Sequence, residues 1–422
     1  MTSILRELAA RRRAGKKGGI YSVCSAHPLV IEAAMHQALE DGTALLVEAT
    51  SNQVDQFGGY TGMRPADFIT FVHEIAGRVG LDTERVLFGG DHLGPNPWRD
   101  RPANEAMALA KDLLSAYAAA GFVKLHLDAS MGCVGDPPTL DDQIVAERAA
   151  SLCAAAEAAA PGAKPVYVIG TEVPVPGGAA ETLNHVEVTA ADAARRTIDV
   201  HEEAFAAAGL RDAWTRVIAL VVQPGVEFDH GHVVDYRPAA AEALSNLLEG
   251  APDLVFEAHS TDYQRPDSLA ALVRDGFAIL KVGPGLTFAL REALYALSAV
   301  EEELVDDDEQ SRLPEVVERV MLSRPESWQR YYHGDTRQQA LLRVFSYSDR
   351  IRYYWPDPAI EAAAKKLIEN LSSAHIPETV LSQYLPKQYL AVREGRLALE
   401  PKALILDRVR DAIRPYAAAC RM

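Results

Sequence analysis

Eight short apolar runs recur along the first three quarters of the chain, at residues 20–24, 44–49, 86–90, 122–127, 166–170, 217–222, 254–257 and 278–282. Each has the length and composition of a strand buried in a parallel sheet. Between them lie Ala-rich stretches with helical periodicity, at 28–41, 65–79, 104–120, 141–160, 190–208 and 238–248. The alternation predicts an α/β fold, a TIM (β/α)8 barrel over residues 1–300, close to the usual barrel length of about 250 residues. A doubly wound open sheet is the competing arrangement. The regular alternation, and the lack of a GxGxxG after the first run, favour the barrel.

The acidic run EEELVDDDEQ, residues 301–310, marks a boundary. Beyond it only helical patterns follow, at 313–322, 336–345, 358–371, 378–395 and 402–419. Residues 301–422 therefore read as a C-terminal helical extension packed on the barrel. At the other end, residues 4–13 read as an amphipathic helix followed by a polar link. The basic residues there lack the apolar core of a signal peptide. No apolar run is long enough to span a bilayer.

Composition narrows the class of partner. The 422 residues are 48% apolar, enough for a sizeable core, and the net charge is -17. An acidic body repels phosphate backbones and anionic membranes, so neither nucleic acid nor membrane is expected as a partner. An anionic substrate stays compatible, because a basic pocket can sit inside an acidic body. The four cysteines, Cys24, Cys133, Cys153 and Cys420, form no CxxC pair, which fits reduced thiols and a cytoplasmic location.

Barrel chemistry sits on the loops that follow the strands, and here those loops are crowded with polar groups. The second strand ends in Glu48 and Asn52, and the third runs through Asp91-His92. The fourth carries Lys124, His126 and Asp128, the fifth Glu172, and the sixth Gln223. The seventh ends in Glu257 and His259, and the eighth in Lys281, Gly283, Gly285 and Thr287. Ionisable groups gathered on one barrel face must pair, bind metal or meet solvent, since burying them otherwise costs several kcal/mol. A polar cavity follows.

Individual roles are expectations. His92, Glu172 and His259 can supply nitrogen and oxygen ligands to a divalent metal, or each can hydrogen-bond locally. Asp91 directly precedes His92, so one can bind metal while the other handles a proton. Asp128 and Lys124 share a strand face with His126, as a buried charge pair or as catalytic groups. Glu48 and Asn52 orient a substrate hydroxyl or cap the next helix. Gly283, Gly285 and Thr287 open a helix expected over 288–297, where free N–H groups favour phosphate. The aromatic and guanidinium-rich segment SYSDRIRYYW docks the extension on the barrel, or turns Arg350 or Arg352 over the cavity to bind phosphate.

The segments EATSNQVDQFGGYTGMRP, GGDHLGPNPW, KLHLDASMGC, YVIGTEVPVPGG, VVQPGVEF, FEAHSTDYQ, LKVGPGLTFALREAL and SYSDRIRYYW together resemble the GatZ/KbaZ family. Its members are companion subunits of class II tagatose-1,6-bisphosphate aldolase, some of them also named tagatose-6-phosphate kinases. The resemblance implies a TIM barrel, a cytosolic location and a role in galactitol, tagatose or amino-sugar catabolism. The family is similar in turn to the catalytic class II aldolases. That similarity implies that Asp91 moves the proton of a C4 hydroxyl and that His92 and His259 bind zinc, with manganese or magnesium as alternatives. It departs at the sixth strand, where Gln223 stands in place of a zinc histidine and Glu172 is a substitute ligand.

Two functions are therefore expected side by side. One is a metal-dependent C4 epimerase of a ketohexose or its 6-phosphate, working by C3–C4 cleavage and re-addition to the aldehyde's other face. Here the substrate site would comprise Asn52, Lys124, Gln223, Lys281, Gly283, Gly285, Thr287 and Arg350, with Asp91, Asp128 and Glu48 catalytic. The other is an accessory subunit that stabilises a class II aldolase partner. A homo-oligomer is compatible with both. A kinase is disfavoured, since the chain has no GxxxxGK[ST] and the pattern is that of a barrel.

Overall fold

A computed structural model describes residues 3–16, 18–171, 178–179, 183 and 186–421. Eight parallel strands, Ile20–Val23, Leu45–Thr50, Val86–Leu93, Lys124–Leu127, Val166–Ile169, Val217–Val221, Val255–Ala258 and Ile279–Val282, pair in chain order, and the eighth closes on the first. All eight coincide with the apolar runs of the sequence. The helices Pro28–Asp41 and Pro65–Val79 start at a proline, whose fixed φ suits the first helical turn, and stop at a left-handed glycine, Gly42 and Gly80.

The barrel interior is layered. Ile20, Leu46, Leu87, Val166, Val255 and Ile279 form an apolar floor with Leu5, Leu8 and Ala9 of the N-terminal helix Ser3–Arg13. The amphipathic segment thus plugs the bottom of the barrel. One layer higher the interior turns polar, with Glu48, Lys124, Glu257 and Lys281 all buried. A separate and larger apolar cluster fills the space between strands and helices and continues into the C-terminal helices.

The C-terminal helices differ from expectation in detail. The helix after the eighth strand runs Pro284–Leu304, through the start of the acidic run. Residues 378–395 form two helices, Glu378–Tyr384 and Pro386–Arg393. Pro386 has no N–H, and it disfavours helical geometry at Leu385, which sits at φ -134° and ψ 62°. Residues 238–248 likewise break into a 3-10 turn, Pro238–Ala240, and the short helix Glu242–Leu247. The last helix, Pro401–Arg421, packs against Pro284–Leu304, Pro28–Asp41 and Pro266–Arg274, so the end of the chain enters the barrel's own helical layer. Among the described residues no helix is long and apolar enough to cross a membrane.

Candidate active site

Glycine makes the polar layer possible. Glu48 is in register with Gly89, and Gly89 with Lys124. A Cβ on Gly89 would lie 2.6 Å from Glu48 Cγ. With no side chain between them, Lys124 Nζ reaches Glu48 Oε1 at 2.7 Å across the third strand and Glu257 Oε2 at 2.7 Å on its other side. The attraction at these contacts is between opposite charges. Lys281 completes the layer, pairing closely with Glu48 and lying 2.9 Å from Asp91 Oδ1. Against burial, Asp91 and the glutamates hold the Lys281 ammonium well above its usual pKa.

A backbone irregularity shapes the top of the site. The register of the third strand shifts between Gly90 and Leu93, and His92 takes the left-handed conformation, φ 49°. Strand alternation would send Asp91 and His92 to opposite faces. The turn at His92 instead brings both to one cavity, with His92 Nε2 3.7 Å from Asp91 Oδ2. Gly94 follows, where a Cβ would stand 1.6 Å from the Asp128 carbonyl oxygen. That close approach places Asp128 Oδ2 2.8 Å from His92 Nδ1. Ser130 donates to the other Asp128 oxygen. Against burial, Asp91 and Asp128 raise the His92 pKa. His259, held through Nε2 by Glu257 Oε1 at 2.9 Å, goes the other way, to about 4, because burial outweighs its partner.

Three imidazoles, His92, His126 and His259, meet with ring centres 4.9–5.3 Å apart. Asp91 Oδ1 takes the backbone N–H of His92 at 3.0 Å and lies 3.1 Å from His126 Nδ1, besides its pair with Lys281. Its Oδ2 is left with Cys24 Sγ at 3.9 Å and His92 Nε2. Despite burial, His92 and Lys281 keep the Asp91 carboxyl well below the usual carboxylate range.

Over this floor opens a cavity of about 670 Å³. Asn52, Asp91, His92, His259, Lys281, Gly283 and Thr287 line it as the sequence suggested. The extension supplies its roof, through Arg352, Tyr353 and Trp355 and the helix Pro358–Ser373. Other expected site residues fall elsewhere. Glu48 and Lys124 lie beneath the floor, bound to each other, and Asp128 stands behind His92. Gln223 turns its carbonyl oxygen to the N–H groups of Gly225 and Val226, at 2.8 and 2.9 Å, and so braces its own loop. Arg350 stacks on Tyr331, 3.1 Å from the ring centre, and donates to the Ser327 carbonyl, which ties the extension together away from the cavity. Gly283 and Gly285 do present N–H groups, but Asp262 Oδ1 accepts both, at 2.9 and 2.7 Å. A carboxylate thus occupies the place where phosphate was expected. Glu172 lies outside the described residues.

The residues fit a divalent metal. Asp91, His126, Glu257 and His259 each offer one ligand atom, all within 4.8 Å of one another. The His126 Nε2 atom is buried without a partner. The four carboxylates of Glu48, Asp91, Asp128 and Glu257 outnumber the two lysines, an excess of negative charge that a divalent cation would offset. Of the expected ligands among the described residues, His259 belongs to this group, while His92 is drawn to Asp128. His126 and Glu257 were not assigned metal roles from sequence. The signal was spacing by two, His126 between Lys124 and Asp128 and Glu257 before His259, which puts each pair on one strand face. Cys24 and Asp262 were given no role from sequence, and only closure of the barrel brings their loops together at the mouth.

The family model for "D-tagatose-1,6-bisphosphate aldolase subunit GatZ/KbaZ-like" matches residues 5–421. The chain belongs to this GatZ/KbaZ-like family. A crystal structure of a "probable tagatose 6 phosphate kinase from Sinorhizobium meliloti 1021" is 53% identical, covers 95% of this chain and 100% of its own, and superposes with a TM-score of 0.89. More distant matches include the YdjI aldolase from Escherichia coli K12, 9% identical over 85% of this chain and 94% of that one, TM-score 0.42. A fructose-bisphosphate aldolase from Campylobacter jejuni is 12% identical over 88% of this chain and 91% of its own, TM-score 0.43. This GatZ/KbaZ-like chain thus belongs to a tagatose-related family, and its barrel carries a residue cluster suited to a metal.

Proposed function

We propose that this GatZ/KbaZ-like protein is a metal-dependent C4 epimerase that interconverts ketohexoses of fructose and tagatose configuration, as the 6-phosphates. The observation that carries this reading is Asp91 Oδ2, a carboxylate oxygen at the cavity floor beside His92, while its twin Oδ1 is fixed by Lys281 and two histidine contacts. His126, Glu257 and His259 would hold the metal. When bound, it supplies a Lewis acid that polarises the substrate ketone.

Asp91 Oδ2 takes the proton of the C4 hydroxyl as the C3–C4 bond breaks, and that bond's electron pair moves toward the C2 oxygen. The products are an enediolate and an aldehyde. The aldehyde turns, the enediolate carbon adds to its other face, and Asp91 returns the proton to the new C4 oxygen. No atom is gained or lost. Lys281, 2.9 Å from Asp91 Oδ1, stabilises the carboxylate form and so favours return of the proton to the C4 oxygen. Its engagement with carboxylates keeps it an ammonium, which argues against covalent capture of the ketone by its amine.

A second reading, an accessory subunit of a class II aldolase, is supported by the family's description as a subunit and by Gln223, which braces a loop where a further metal histidine would be required. The deciding experiment follows fructose 6-phosphate and tagatose 6-phosphate by NMR with isolated, chelator-treated protein, with and without zinc, manganese or magnesium. Metal-dependent interconversion, lost in Asp91→Asn with metal content retained, supports the epimerase. No metal uptake and no turnover, together with stabilisation of an added class II aldolase, supports the accessory role.

A further inference from the structure

The strand-eight loop cannot receive an anion while Asp262 holds its N–H groups, so a phosphorylated ligand needs another charge. Lys281 is committed to Asp91, Glu48 and Glu257 at the floor. Arg352, on the roof, is differently placed. It lines the cavity, and among the described residues no carboxylate lies within ion-pair distance of it. Its hydrogen-bond acceptors are neutral oxygens: the Ser348 carbonyl, the Asp349 carbonyl at 3.1 Å and the Tyr353 hydroxyl at 3.1 Å. The guanidinium rests 4.6 Å from the Tyr353 ring centre, and Tyr353 meets Tyr60 edge-on at 4.9 Å. Asp349, three residues earlier, accepts from Thr287 in the first turn of the strand-eight helix, which anchors the Arg352 segment to the barrel mouth.

We propose that Arg352 is the anion subsite, holding the phosphate monoester of a phosphorylated sugar at the roof while Asp262 bars the strand-eight loop to it. A guanidinium whose hydrogen bonds go to neutral oxygens, with the Asp349 and Asp262 carboxylates beyond ion-pair distance, offers a planar fork suited to phosphate oxygens. The arrangement spans the cavity, with the reacting carbons over Asp91 and the charged end at the extension. The proposal rests on the epimerase reading for the orientation of the sugar, but its test needs only binding.

Full-length protein, loaded with the metal that supports turnover or without metal if none does, is titrated by calorimetry with tagatose, tagatose 6-phosphate and inorganic phosphate, as wild type and as Arg352→Gln, Arg352→Lys and Asp262→Asn. Wild type should bind the 6-phosphate roughly 10- to 100-fold tighter than tagatose, the range for a charged hydrogen-bonded contact. Arg352→Gln should erase that preference, with an unchanged melting temperature reporting an intact fold. Arg352→Lys should keep part of it, and Asp262→Asn should leave it in place. Arg352-dependent phosphate binding without epimerisation would support this subsite and sink the epimerase. A wild type with no preference for the phosphorylated sugar, or an Arg352→Gln protein that keeps it, would overturn the subsite whatever the turnover.

Discussion

Replacing Lys124 with Met tests whether the polar layer is a charge balance. Met fills nearly the same space, so the perturbation is loss of one positive charge from a fully buried position between Glu48 and Glu257. At an effective dielectric of about 20, each 2.7 Å contact corresponds to roughly 6 kcal/mol of attraction. Most of that is offset, because the variant no longer strips water from an ammonium. What remains is the cost of burying carboxylates with one cation fewer, about 3–5 kcal/mol for a broken buried pair. At about 2 °C per kcal/mol for a large chain, the melting temperature should fall by roughly 6–10 °C. Differential scanning calorimetry on Lys124→Met, Glu48→Gln and the double variant measures this. The double variant should recover part of the loss, since removing one carboxylate restores the balance. A single variant that melts within about 2 °C of wild type would refute the reasoning, and so would a double variant whose losses simply add.

Three further outcomes are expected. Asp128→Asn keeps an acceptor for His92 Nδ1 but loses its charge, so the His92 imidazole should titrate lower by NMR and turnover should fall roughly 10-fold; an unmoved titration would remove Asp128 as the group that tunes His92. Burial pushes Asp349 up to about 6, so the native state binds a proton between about pH 4 and 6 that the unfolded chain has released, and stability is lost as pH rises through that window. Asp349→Asn, which retains an acceptor for Thr287 and suits the left-handed φ of 43°, should gain on wild type by about 3 kcal/mol or less from pH 4 to pH 7; parallel melting curves would contradict this. Gly94→Ala places a methyl carbon against the Asp128 carbonyl, so loss of soluble protein or about 3 kcal/mol or more of stability is expected, checked by expression and urea titration.

Period and polarity along the chain determined the architecture. Apolar runs of strand length, proline at helix starts and glycine at helix ends are local signals, and burial in a parallel sheet leaves them little freedom. The eight strands therefore stood where the sequence put them, and the N-terminal amphipathic segment is a helix whose apolar face plugs the barrel floor. The polar strand ends were legible for the same reason, since charged residues within a buried strand must face the barrel interior or its mouth.

Partnership among those residues was not legible. Glu48 and Lys124 are 76 positions apart, and they meet because Gly89 leaves a gap between their strands. Asp91 and His92 share a cavity because one residue takes a left-handed φ, which no local pattern announces. The strand-eight loop looked open to phosphate until Asp262 folded onto it, and Arg350 and Arg352 were distinguished only by which one the extension turned toward the cavity. Electrostatics decides which groups remain charged and which are free to act, and it depends on distances of a few ångströms between strands far apart in sequence. Barrel closure and the packing of the extension set those distances.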